Sequence, residues 1–290
     1  MSCPSPKAAG FTLVELVVAI VVAAIVASFV VLFLDAPIQS YFAQTRRADL
    51  VDSANRISSA VTADVRAALP NSVRVTNVGP VYALEFLATQ GVARYYDSSE
   101  NGAGLKFASA ISSFETLDSF TPASSPPYNH LSVGNLGYPP TVPAMYDAYS
   151  PANNVMTPGG VTIAAGANPG ESLVSFNSMT FQAPVVPPPA HNAYLVSGPV
   201  SYVCNPTAGT FMRYSGYGIT AGQTVAPGGT GALIAHDVAS CNMYIVFPRG
   251  GYPPPAAGYA YGQLAVLTVT LSNGGESLQV FLEAPTEYSQ

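Results

Sequence analysis

The chain has 290 residues, 9% of them charged, and a formal net charge of −6, enough length for a membrane anchor plus one large domain or two small ones. From residue 75 onward eleven acids stand against Arg94, Lys106, Arg213 and Arg249, a balance of 4 − 11 = −7. That excludes the clustered basic surface which nucleic-acid binding requires.

The first element is set by Gly10-Phe11-Thr12-Leu13-Val14-Glu15, which opens an apolar run ending at Leu34. The twenty-four residues from Phe11 to Leu34 hold one ionisable side chain, Glu15, and as a helix they span a hydrocarbon layer of about 30 Å. An acid at the centre of such a span costs about 3 kcal/mol, less toward an interface, so it marks a functional site with a partner to be named. A second copy of the chain is one source of that partner. An ordinary signal peptide, with Lys7 as its basic start and cleavage near Ala27-Ser28, is the competing reading, but Glu15 interrupts its apolar core. A plain single-span anchor leaves Glu15 without a purpose.

These residues resemble the start of a type IV prepilin or a type II secretion pseudopilin, in which a short polar leader ends in Gly, followed by Phe and a hydrophobic helix with Glu at the fifth mature position. The resemblance implies that a prepilin peptidase cuts after Gly10 and that Phe11 becomes the N-methylated first mature residue. It also implies that Glu15 pairs with the α-amino group of a neighbouring subunit's Phe11 and so sets assembly register. Two charges that are each costly in lipid cost less when joined. The implied partners are other pilin subunits through an N-terminal helix bundle, the prepilin peptidase and an inner-membrane assembly platform, with no cofactor and no metal. The implied location is the bacterial inner membrane, single-pass with the head in the periplasm, and then a pilus or pseudopilus. One departure is that the helix proline frequent in the family is missing, Pro37 coming later.

Between Phe11 and Val78 there is no glycine and only Pro37 and Pro70 interrupt; from Gly79 onward there are 24 Gly and 22 Pro. A helix is therefore expected to run to Leu69, where the residue before a proline leaves the α region. After Leu34 it turns amphipathic over 35–69, with Leu50, Ala54, Ile57, Val61, Val65 and Ala68 in one stripe that should lie on a sheet. Arg46, Arg47, Arg56 and Arg66 fall on the opposite or flanking faces, where most such charges are solvated.

Residues 70–290 read as a β-rich head, so the fold class is α+β: a long N-terminal helix packed on antiparallel sheet. Ser72–Val78, Val81–Leu87 and Val92–Tyr96 read as a meander separated by Gly-Pro and Gln-Gly. Residues 121–169 read as a decorated insertion carrying Tyr128, Tyr138, Tyr146 and Tyr149. Further strands are expected at Leu173–Asn177, Ala193–Cys204, Gly209–Tyr217, Asn242–Phe247, Leu264–Leu271 and Ser277–Leu282. Asn273-Gly274 should close the last hairpin, because both residues tolerate positive φ. Cys3 lies in the leader, leaving Cys204 and Cys241 either as two buried thiols or as a disulfide, the latter worth about 4 kcal/mol on the chain-entropy account and permitted in an oxidising compartment. The helix entry, the Val-Ser-Tyr-Val-Cys and Phe-Met-Arg-Tyr strands and the Gly-Gly-Glu-Ser hairpin are similar to minor pilins of the mannose-sensitive haemagglutinin (MSHA) pilus, the MshO type, and more distantly to J-type minor pseudopilins. That likeness implies a low-copy subunit that starts or caps a fibre.

Catalysis finds no support. His130, His191 and His236 are not ligand-spaced, and because neighbours in a strand point to opposite faces, His236-Asp237 reads as a loop or edge feature. Gly228-Gly229-Thr230-Gly231 lacks the lysine and helix of a phosphate loop. Asp97 to Gly102 begins like a calcium loop, but its twelfth position is Ala108. Exposed tyrosines would suit a tip adhesin with aromatic platforms for a glycan.

Overall fold

The computed structural model describes residues 10, 12–97, 103–120, 130–137, 143–183, 191–246 and 263–286. The chain divides into two units, Met1–Asp49 and Leu50–Gln290. Helix α1 (Leu13–Arg66) runs on through Pro37. In the first unit the stretch Leu13–Val30 has the length and composition to cross a membrane, and none of it is buried.

Twelve strands follow among the described residues. They are β1 (Arg74–Val78), β2 (Val81–Arg94), β3 (Ala110–Thr116), β4 (His130–Val133), β5 (Thr162–Ala165), β6 (Ser172–Thr180), β7 (Asn192–Asn205), β8 (Thr210–Ser215), β9 (Thr230–His236), β10 (Val238–Val246), β11 (Leu264–Asn273) and β12 (Glu276–Pro285). They form an antiparallel sheet β1-β2-β7-β8-β9 with β4 also on β7, and two three-stranded sheets, β10-β11-β12 and β3-β6-β5. The fold is α+β.

In the second unit the apolar stripe of α1 is buried at Leu50, Ile57, Val61 and Val65. It shares one core with Leu84 and Phe86 of β2, Tyr202 of β7, Phe211 of β8, Met243 of β10 and Leu267 and Val269 of β11. Spacings of three and four put these helix residues on one side, and the period of two puts alternate strand residues opposite them. Asp64 fastens the edge of the stripe, accepting from Tyr202 Oη at 2.7 Å and Arg213 Nε at 2.6 Å. Arg56 is not simply solvated. It pairs with Asp52 and donates to the Ile234 carbonyl at 3.1 Å.

The helix stops at Arg66, three residues before the expected end, because β2 takes over the backbone. The Leu69 amide donates to the Leu87 carbonyl and the Thr89 amide to the Ala67 carbonyl. Gln90-Gly91 does not separate two strands. It sits in a register break inside β2, which pairs with β7 on both sides of it. In the β11–β12 hairpin Asn273 pairs with Glu276, so the turn residues are Gly274 and Gly275, at φ 57° and 88°, and not Asn273. The stretch 121–169 contributes β4 to the large sheet and β5 to a small one, and its described tyrosines, Tyr146 and Tyr149, are buried rather than exposed. Tyr128 and Tyr138 lie outside the described residues. Strands β3, β4, β5 and β9 were not expected from the sequence pattern.

The opposite face of β2 carries a buried ion pair. Arg74 and Glu85 keep only 6% and 3% of their side-chain surface exposed, with Arg74 Nε 2.8 Å from Glu85 Oε1. Arg74 also donates to the Thr220 and Ala221 carbonyls, each at 2.8 Å, and its guanidinium lies 3.6 Å from the centre of the Tyr149 ring. Ser201 and Tyr217 complete Glu85 through Oε2, both at 3.2 Å. A buried pair with its hydrogen-bonding capacity filled is tolerated, whereas one half left alone costs about 3–5 kcal/mol. Glu85→Gln should therefore lower unfolding stability by about 3–5 kcal/mol in urea titrations, and Arg74→Met with Glu85→Leu should recover most of it. A loss under about 1 kcal/mol for the single change would refute this account.

Burial, and then the Glu85 charge, holds the Tyr149 hydroxyl well above its ordinary value of 10.0. Burial, and then the hydrogen bond to Asp64, does the same for Tyr202. Both stay protonated when folded, while the unfolded chain sheds these protons above pH 10, so this stability is complete below that pH and lost as pH rises beyond it. The thermal midpoint should hold steady to about pH 9 and fall above about pH 10, and the fall should shrink in Tyr202→Phe.

Candidate functional site

The opening of α1 is the site that the sequence singles out. Gly10 is exposed, and Phe11 lies outside the described residues. Glu15 occupies the first helical turn and is exposed, as are its apolar neighbours Leu13 and Val14, at 80% and 70%. Among the described residues none covers this surface, so its apolar side chains call for lipid or other helices.

Thr12 is the helix cap. Its carbonyl accepts from the Leu16 amide at 3.1 Å, and its hydroxyl oxygen accepts from the Glu15 amide at 3.3 Å. In return the Thr12 amide and hydroxyl both donate to Glu15 Oε2, at 3.1 and 2.9 Å. This is a capping box, Thr-x-x-Glu just ahead of an apolar run, and it satisfies helix-start amides that would otherwise lack partners. The signal that finds it in the sequence is the three-residue spacing of Thr12 and Glu15, not the charge of Glu15. A carboxylate at this end also meets the positive pole of the helix.

Cys204 on β7 and Cys241 on β10 form a disulfide, with Cα atoms 6.2 Å apart. It ties the large sheet to the β10-β11-β12 sheet beside the core that holds the α1 stripe.

The remaining candidates are not brought together. His130 Nδ1 lies 2.6 Å from the Thr157 carbonyl, His191 stacks on Tyr95 at 5.1 Å, and His236 Nδ1 lies 2.6 Å from Asp237 Oδ2. That last contact agrees with the expected loop or edge feature. Asp237 has φ 62° and joins β9 to β10, so the strand alternation does not apply to it. At Gly229 a Cβ would stand 2.2 Å from the Ser215 carbonyl oxygen, so this glycine serves the close approach of β8 and β9 rather than a phosphate. Of the calcium-loop residues, 98–102 lie outside the described residues. Among the described residues no three His, Cys, Asp or Glu side chains are grouped to hold a metal.

No curated protein and no solved structure matches the chain. Residues 5–31 match the family model of the prokaryotic N-terminal methylation motif. The match covers Gly10, Phe11, Thr12 and Glu15 and the start of the apolar helix, and it supports a type IV pilin-like or pseudopilin protein, a structural subunit rather than an enzyme.

Proposed function

We propose that this protein is a minor type IV pilin of the MshO type that primes or caps pilus assembly. The observation that carries the reading is the capped, apolar and uncovered start of α1, with Gly10, Phe11 and Glu15 in prepilin order within the methylation-motif match. In this reading residues 1–10 are a leader removed by prepilin peptidase, Phe11 is N-methylated, and residues 11–34 enter a bundle of like helices. Residues 35–69 continue the helix, and 70–290 form a periplasmic and then fibre-borne head. Glu15 neutralises the amino terminus of a neighbour's Phe11 and fixes axial register, since either charge alone in lipid is costly. The disulfide suits an oxidising compartment. For a tip adhesin Tyr146 and Tyr149, being buried, could not serve as aromatic platforms, whereas Tyr244 of β10 is exposed. A secretion pseudopilin would share the same helix start, and deletion separates the two: loss of pili supports the minor pilin, loss of secretion with pili intact the pseudopilin.

Mass spectrometry of the membrane-extracted protein should find a mature chain beginning at N-methylated Phe11, and any other start overturns the processing scheme. Gly10→Leu should leave an uncut precursor. Glu15→Ala should be exported and cleaved yet stay out of fibres; normal incorporation would remove the register role. Thr12→Ala should cost about 1 kcal/mol at the helix start, seen as faster amide exchange over residues 13–16, while Thr12→Ser keeps the cap.

A further inference from the structure

The three sheets have seven outer strands, the four-residue β4 included, and six of the seven are short or irregular. Strand β1 has five residues and β5 four. The pairing of β9 breaks between Phe211 and Met212, that of β3 between Ile111 and Ser113, and that of β10 between Val238 and Ser240. Short length and bulges are the usual protections of a sheet edge.

β12 has neither. It runs in register with β11 from Asn273↔Glu276 to Leu264↔Pro285 without a break. It has no Lys or Arg, and its one proline is the last residue. Leu282 and Ala284 turn inward and are buried, while Phe281 stands 61% exposed on the other face, beside Thr268 of β11. Among the described residues no strand pairs with its outer side. A long, regular edge without Lys or Arg, carrying only Glu276 and Glu283 as charges and an exposed aromatic at its middle, is a template for another strand.

We propose that β12 pairs antiparallel with β12 of a second copy of this chain, joining the two β10-β11-β12 sheets into one. The chemistry of the strand selects this occupant. Centred on Phe281, self-pairing sets Phe281 against Phe281, Gln279 against Glu283 and Glu276 against Thr286, so no carboxylate faces another. Slipping the register to bring Glu276 opposite Glu283 opposes like charges and is disfavoured. Cross-strand aromatic pairs stabilise such a junction, and the inward alternation of Leu278, Val280 and Leu282 continues across it.

The test uses the full chain in detergent, in a Cys3→Ser background so that Cys204 and Cys241 remain the only native cysteines. Under mild oxidation Phe281→Cys should give a disulfide-linked dimer on non-reducing gels, whereas Thr207→Cys, at the exposed β7–β8 turn, should stay monomeric. Phe281→Glu should raise the dimer dissociation constant about tenfold in sedimentation, by placing like charges across the junction. Equal cross-linking of the two cysteine variants, or a dimer unmoved by Phe281→Glu, would overturn the pairing, and so would β12 capturing only a different protein.

Discussion

The need to hide one side of α1 from water governs the second unit. Ile57, Val61 and Val65 are wholly buried, and the strands that cover them come from two sheets distant in sequence. Each such side chain contributes about 1.5–3 kcal/mol on burial, so the stripe is a large part of what the sheets gain by assembling around it. The disulfide between β7 and β10 crosses between those same sheets. Asp64, holding Tyr202 and Arg213, and Arg56, reaching the Ile234 carbonyl, trim the margin of the same helix face.

The large sheet answers to a second demand on its far side, where alternate residues of β2 and β7 bring Glu85 and Ser201 together. A carboxylate there is tolerable because Arg74 arrives from β1, and Arg74 is tolerable because two carbonyls and the Tyr149 ring receive it. The loop residues 217–223 and 144–156 are thereby part of the interior chemistry and not ornaments. Asn135 extends this logic to the helix exit, donating to the Pro70 carbonyl while the Asn71 side chain donates to its own.

The start of α1 obeys a different rule. Its apolar side chains are uncovered, and its one acid is held by Thr12 in a reciprocal cap. The cap stabilises the beginning of the helix without neutralising the carboxylate. A partner cation therefore remains the cheapest way to place Glu15 in a lipid or helix-bundle interior.

The sequence alone determined the elements whose signal is local. The apolar first part of α1 was legible because the twenty-four residues from Phe11 to Leu34 contain a single ionisable group, and the buried stripe from Leu50 to Val65 because helical period is a local property. Tertiary structure decided what depends on residues far apart. It merged two expected strands into β2 across Gly91, since β7 supplies partners on both sides of the break, and it ended the helix at Arg66 because β2 claimed the next backbone groups. It buried Tyr146 and Tyr149 and joined Arg74 to Glu85 and to a loop nearly 150 residues away. Spacing along the chain carries no record of such pairings, because a hydrogen bond or an ion pair between distant segments exists only once the sheet has brought them together.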